Sequence, residues 1–277
     1  MTAIRTVALP SGVLVPALGQ GTWHMGEDPA RRGEEMDALQ AGLDLGLTLI
    51  DTAEMYGDGG AETLVGAAIS GRRDEVFLVS KVLPSHADYD GVRAACHESL
   101  RRLGTDRIDL YLLHWRGRVP LAETVAGFES LVHDGAIGSW GVSNFDVDDL
   151  AALPSGTTPQ TDQILYNLSR RGPEVDLLPE CRRRSIPVMA YSPIEQGRLL
   201  GSTALREVAA AHRATPAQVA LAWVLRDDSM IAIPKASTRD HVQENAAALD
   251  LRLTADDLAT LDRAFPAPDH KVPLEML

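Results

Sequence analysis

Eight short runs rich in aliphatic and β-branched residues alternate with longer segments of helical period, and no other feature constrains this chain as tightly. The strand-like runs fall at 17–22, 47–51, 76–81, 108–114, 139–143, 161–166, 187–191 and 230–234. Helical patterns between them cover 34–45, 61–69, 91–103, 121–134, 147–153, 175–184 and 216–225. Two more helices are expected at 241–249 and 255–265. The strands are near-continuous apolar runs, such as Leu110-Tyr-Leu-Leu113, as expected when both faces are covered. Ahead of them, residues 5–9 and 13–15 flank Pro10-Ser11-Gly12, a turn triplet that predicts a hairpin. The pattern predicts an α/β chain folded as one (β/α)8 barrel (TIM barrel) over residues 1–277. The hairpin would plug the barrel bottom, and extra helices would lie near the C-terminus. A doubly wound sheet would need GxGxxG after its first strand, but Gly19-Gln-Gly-Thr-Trp-His24 lacks the third glycine, and no GxxxxGK[ST] occurs.

Several boundaries have a local cause. Thr215-Pro216 sets an N-cap before a proline at the first helical position. Thr254-Ala-Asp-Asp257 is close to a capping box. Gly46, Gly71, Gly104 and Gly135 follow apolar-periodic runs, as helix stop signals do. In 91–103, Val92, Ala95, Cys96, Ser99 and Leu103 form one buried stripe.

Composition narrows the function. With 26 basic and 39 acidic side chains the net charge is −13, which argues against nucleic acid or an anionic membrane as partner. The longest apolar run, 219–225, is far short of the roughly 20 residues that span a bilayer. No secretory leader pattern opens the chain, so the expected address is the cytoplasm and the expected state a monomer. Cys96 and Cys181 lack CxxC spacing, and the eight histidines include no HExxH, so neither a disulfide framework nor a metal is expected.

Only Lys81, Lys235 and Lys271 among the 26 basic residues are lysines. In an Arg-rich chain, a surviving lysine marks a place where a compact ammonium is needed and a guanidinium will not serve. Lys271, near the C-terminus, is read as chance survival. Lys81 ends a predicted strand, as do Asp51 and His114, and Tyr56 lies five residues past Asp51. In a barrel these ends build the active site, so four ionisable groups converge from three consecutive corners. The chemistry that fits them is proton donation to a carbonyl oxygen. A free tyrosine is too weak an acid, with pKa about 10. An adjacent Lys81 ammonium, kept charged by Asp51, would favour the phenolate and lower that value. His114 could donate a hydrogen bond to a substrate oxygen, and Trp23 and Trp115 read as pocket walls.

These residues resemble the aldo-keto reductase superfamily: Gly19-Gln-Gly-Thr-Trp23, Asp51-Thr-Ala-Glu-Met-Tyr56-Gly, Val79-Ser-Lys81, Leu113-His114-Trp115, Gly141-Val-Ser-Asn-Phe145 and Ile233-Pro-Lys235. The likeness covers nearly the whole chain in order. It implies a barrel that binds NADPH and reduces aldehydes or ketones, with the catalytic tetrad on Asp51, Tyr56, Lys81 and His114. It further implies Ser143, Asn144 and Gln163 on the nicotinamide amide and Tyr191 on its ring. Gly21, Thr22 and Trp23 would lie near the cofactor, with Ser192, Pro193, Gly197 and Leu199 beside the pyrophosphate. Ile233, Lys235, Ala236, Ser237, Thr238 and His241 would surround the 2′-phosphate, and Glu244 and Asn245 the adenine. Where NADPH-preferring members carry serine and arginine, this chain has Ala236 and His241, so NADH is expected to be usable. The short tail, 266–277, suggests an open site. Overall the chain looks closest to bacterial members acting on methylglyoxal-like and aromatic aldehydes. Two other readings are a Schiff-base lyase using Lys81 and a cofactor-binding interaction subunit like the superfamily's potassium-channel β subunits. The latter carry added partner-binding regions, and no N-terminal extension is expected here.

Overall fold

The computed structural model describes residues 4–277, so residues 1–3 of the expected domain lie outside the described residues. The hairpin pairs β1 (Thr6–Ala8) antiparallel with β2 (Leu14–Pro16), Val7 opposite Val15. Val7, Leu9 and Val15 are buried while Leu14 faces out. The hairpin reaches the N-terminal ends of the barrel strands. The Ser11 amide donates to Gln160 Oε1 at 2.9 Å, and Arg5 pairs with Asp228 at 2.7 Å. It caps the bottom as expected.

Eight parallel strands follow in sequence order: β3 (Gln20–Gly21), β4 (Leu49–Asp51), β5 (Phe77–Val82), β6 (Ile108–Leu113), β7 (Ile137–Ser143), β8 (Asp162–Leu165), β9 (Val188–Tyr191) and β10 (Met230–Ala232). The first and last meet through parallel bridges, Leu18 with Ala232 and Gly21 with Lys235, which close the barrel. Glycine is required at this seam. A Cβ on Gly21 would stand 2.7 Å from the Ile233 carbonyl oxygen.

The helices α1 (Arg32–Asp44), α2 (Gly60–Ala68), α3 (Tyr89–Leu103), α4 (Leu121–His133), α5 (Val147–Ala151), α6 (Leu177–Arg183), α7 (Thr203–His212), α8 (Pro216–Val224), α9 (Arg239–Ala247) and α10 (Ala255–Ala264) cover the outside. The expected stripe of α3 is buried from Val92 to Leu103, and Gly104 caps it at φ 63°. Thr215 and Thr254 both form capping boxes, with Gln218 and Asp257. Cys96 and Cys181 are buried free thiols.

Two expectations need correction. Six of the eight strands are shorter than expected, most of all 17–22, where only Gln20–Gly21 holds the ladder with β4, while β7 starts two residues earlier than expected and β5 is shifted by one. Helix α7 was not foreseen. Its buried face is just Leu205, Val208 and Ala209, too narrow a stripe to give a clear period, although Ser202 caps it by accepting from the Leu205 amide. No helix among the described residues is long and apolar enough to cross a membrane, and no group of three or more His, Cys, Asp or Glu there could hold a metal ion.

Candidate active site

The stagger between neighbouring strands gathers the four ionisable residues. Asp51 pairs with Val79, two residues before Lys81, and Lys81 pairs with Leu112, two residues before His114. Each corner therefore starts one step higher, and the side chains meet at the C-terminal mouth. Tyr56 joins them from the loop after β4.

Lys81 is fully buried, and its three N–H groups each have an acceptor. Nζ lies 2.8 Å from Asp51 Oδ2, 2.9 Å from the Thr52 carbonyl oxygen and 3.1 Å from the Tyr56 hydroxyl oxygen. The other Asp51 oxygen accepts from Gln163 Nε2 at 2.7 Å. Gln163 also approaches Met189 Sδ at 3.0 Å. The buried amide thus finds its partner in the tetrad itself.

Burial raises the Asp51 carboxyl above its ordinary value, and Lys81 opposes that rise. On Lys81 burial acts downward, but Asp51 and Tyr56 more than offset it, so the ammonium persists. Tyr56 departs from expectation. Desolvation outweighs Lys81 and holds the hydroxyl above its ordinary value, not below it. The consequence favours chemistry, because the resting residue keeps the proton that it would donate.

Burial, with Lys81 second, pushes His114 down to about 2, so the ring is neutral. Its Nδ1 is buried without a hydrogen-bond partner. A proton there would be an unpaired buried donor, costing about 1–3 kcal/mol. The proton therefore belongs on Nε2, which makes this ring a donor at the cavity it lines.

That cavity has a volume of about 590 Å³, within the usual range for small-molecule sites. Trp23, Met55, Tyr56, His114 and Trp115 line it. Gly21, Thr22, Asp51, Asn144, Gln163, Tyr191, Ser192, Pro193, Gly197, Ile233 and Lys235 also reach it. Asn144 takes a left-handed backbone, φ 58°. Its Nδ2 donates to the His114 carbonyl oxygen at 3.0 Å, and its Oδ1 accepts from the Tyr191 hydroxyl at 3.0 Å.

Other expected residues stand apart from the cavity surface. Ser143 is buried behind it, its hydroxyl donating to the Gln163 carbonyl oxygen at 2.8 Å. Leu199 packs into the core. Ala236, Ser237, Thr238, His241, Glu244 and Asn245 do not line it. Ser237 accepts from Lys235 Nζ at 2.9 Å, and Thr238 caps α9 through the His241 amide. Met276 and Leu277 of the short tail also form part of the wall. Pro234, inside the Ile233-Pro-Lys235 motif, and Ile194, which follows Pro193, line it as well, and His24 and Gln196 are further lining residues that the motifs do not name. Both of these are next to residues the motifs name, so adjacency is the available signal.

Comparison with known proteins agrees with this geometry. The sequence model described as "Aldo/keto reductase family" matches residues 17–265. Methylglyoxal reductase YeaE of Escherichia coli is 52% identical over 99% of each chain. A glyoxal reductase of Bacillus subtilis is 34% identical over 96% of each. An aldo-keto reductase from Klebsiella pneumoniae, solved in complex with NADPH, is 51% identical and superposes with a TM-score of 0.97 over 100% of both chains.

Proposed function

Since the chain belongs to the aldo/keto reductase family, we propose that it uses NADPH to reduce small aldehydes and ketones, dicarbonyls such as methylglyoxal among them, to alcohols. The observation that carries the reading is the ammonium of Lys81 held between Asp51 and the Tyr56 hydroxyl, two residues that line the cavity.

The residues present fit the cofactor. Asn144, Gln163 and Tyr191 offer an amide-and-ring platform beside the tetrad, with Ser143 supporting it from behind. Lys235 stands at the far rim, with its ammonium on Ser237 and in no ion pair among the described residues. Burial, followed by the nearby charge of Arg31, holds Lys235 below its ordinary value, a strain that a phosphate dianion would relieve. When bound, NADPH supplies the hydride that reduces the carbonyl carbon.

The chain's own groups handle the proton. Tyr56 gives its hydroxyl proton to the carbonyl oxygen, and the Lys81 ammonium 3.1 Å away stabilises the phenolate left behind. Asp51 keeps that ammonium charged and fixed. His114 donates a hydrogen bond to the same oxygen and orients it. Trp23, Met55 and Trp115 supply an apolar wall that limits water. Lys81 has its three N–H groups engaged and does not line the cavity, which disfavours a Schiff-base lyase.

The reading includes a monomeric cytoplasmic enzyme with NADH as a weaker reductant, and size-exclusion chromatography checks the first point. Loss of NADPH absorbance with methylglyoxal, phenylglyoxal and benzaldehyde tests the activity. No aldehyde-dependent oxidation across such a panel would overturn it.

A further inference from the structure

Glu195 is buried in the loop after β9, at a backbone φ of 49° that a non-glycine residue rarely adopts. Its carboxylate accepts from Asn167 Nδ2 at 2.7 Å, Arg170 Nη2 at 2.9 Å and Arg198 Nη2 at 2.9 Å. Asn167 also donates to the Ser192 carbonyl oxygen at 3.0 Å. The loop from Ser192 to Gly197, one wall of the cavity, is thereby pinned to the loop after β8.

Arg170 extends this network. Its other terminal nitrogen, Nη1, pairs with Glu275, and the next two residues, Met276 and Leu277, line the cavity. Those side chains are 55% and 51% exposed, so core packing does not hold them there. Further upstream the tail has an anchor of its own, Lys271 on Asp176 at 3.1 Å. Arg170 is the point where the tail and the β9 loop share one guanidinium.

We propose that Arg170 is a specificity-determining residue: by tying Glu275 to Glu195 it holds Met276 and Leu277 as the apolar wall for the carbonyl substrate's substituent. The substrates that gain from it are aldehydes with an aromatic or branched alkyl group. Small aldehydes that do not reach the wall gain nothing. The proposal rests on the carbonyl-reductase reading above.

The test compares KM for phenylglyoxal and for methylglyoxal in wild type, Glu275→Gln, Glu275→Asp and Arg170→Met, alongside the NADPH Kd from fluorescence quenching. The Glu275–Arg170 pair is partly exposed, so a modest effect is expected. Glu275→Gln should raise the phenylglyoxal-to-methylglyoxal KM ratio about 3- to 5-fold while leaving the NADPH Kd within about 2-fold. Glu275→Asp should restore part of the ratio. Arg170→Met should raise the ratio and also weaken NADPH, because Glu195 loses a partner. A ratio unchanged within about 2-fold in both Glu275→Gln and Arg170→Met overturns the proposal and leaves the reductase reading intact. A wild-type protein that oxidises NADPH with neither aldehyde defeats that reading, and this proposal with it.

Discussion

Lys81→Met removes one partner of a pair whose side chains are 0% and 3% exposed. Breaking such a pair leaves a buried carboxylate uncompensated and typically costs about 3–5 kcal/mol. Gln163 still donates to Asp51 at 2.7 Å, which favours the lower end. For a chain of this size that corresponds to a fall in Tm of roughly 5–9 °C. The penalty depends on pH in a definite direction. Without Lys81, burial raises the Asp51 carboxyl further, so the folded variant binds a proton that the unfolded chain releases near pH 4. The Asp51 contribution is thus most favourable below that pH. As pH rises that contribution falls by about 1.4 kcal/mol per unit until the folded-state value is passed. The Tm gap to wild type should therefore narrow between pH 7.5 and pH 5, as read by scanning fluorimetry. Turnover should fall by about 100- to 10,000-fold, since the phenolate loses its counter-charge. Lys81→Arg should be nearly as inactive, because a planar fork cannot reproduce three contacts that diverge from one nitrogen. The reasoning is refuted if the arginine variant keeps more than a third of wild-type turnover, or if the Tm gap for methionine is under 2 °C and flat with pH.

Tyr56→Phe should bind NADPH within about threefold of wild type and lose about 100- to 10,000-fold in turnover; more than a third of the activity remaining would remove Tyr56 from its role. Because His114 is held down to about 2, kcat/KM should show no histidine inflection between pH 5 and pH 8, and a step near 6.5 would contradict the neutral ring. Wild type should favour NADPH over NADH by about 10- to 100-fold, and Lys235→Met should collapse that ratio while sparing NADH turnover, as steady-state kinetics with both cofactors would reveal. Gly21→Ala should destabilise the barrel by about 1–3 kcal/mol in urea melts, since its Cβ would stand 2.7 Å from the Ile233 oxygen; an unchanged midpoint would mean the seam yields freely.

The barrel was legible because its two periods differ sharply. Short runs such as 108–113, too brief for a buried helix and repeated in alternation, read as doubly covered strands, and the i, i+3, i+4 stripe of α3 reads as a helix laid over them. Strand ends were less legible, because burial does not say how far a continuous ladder runs. Ala17 and Leu18 are fully buried and meet Ala232 only through an isolated bridge, so β3 begins at Gln20. Helix α7 was missed for the opposite reason, being real but only thinly buried on one face. The wall formed by Met276 and Leu277 could not be read from sequence. It depends on an ion pair between Arg170 and Glu275, residues 105 positions apart.

Within the site, legibility follows how each residue is held. Lys81 meets three acceptors around one nitrogen, all inside the protein, and a bias towards arginine cannot replace it without losing contacts that diverge from that nitrogen. Lys271 makes the contrast, since it pairs with Asp176 in the open at 3.1 Å, where a guanidinium would serve equally well. The tetrad's demands are thus internal, and the sequence records them as residue types at strand ends. The sign of the Tyr56 shift was misread because it is a difference between two large effects, desolvation and the Lys81 charge, and spacing reveals only the second. Residues expected around the 2′-phosphate would answer to a ligand instead. Ala236, Ser237, Thr238 and His241 satisfy the loop and the α9 cap without it, so nothing in their own packing identifies them. Lys235 is the exception at that end: a half-desolvated cation near Arg31 and in no ion pair among the described residues is a demand the protein leaves for an anion to meet.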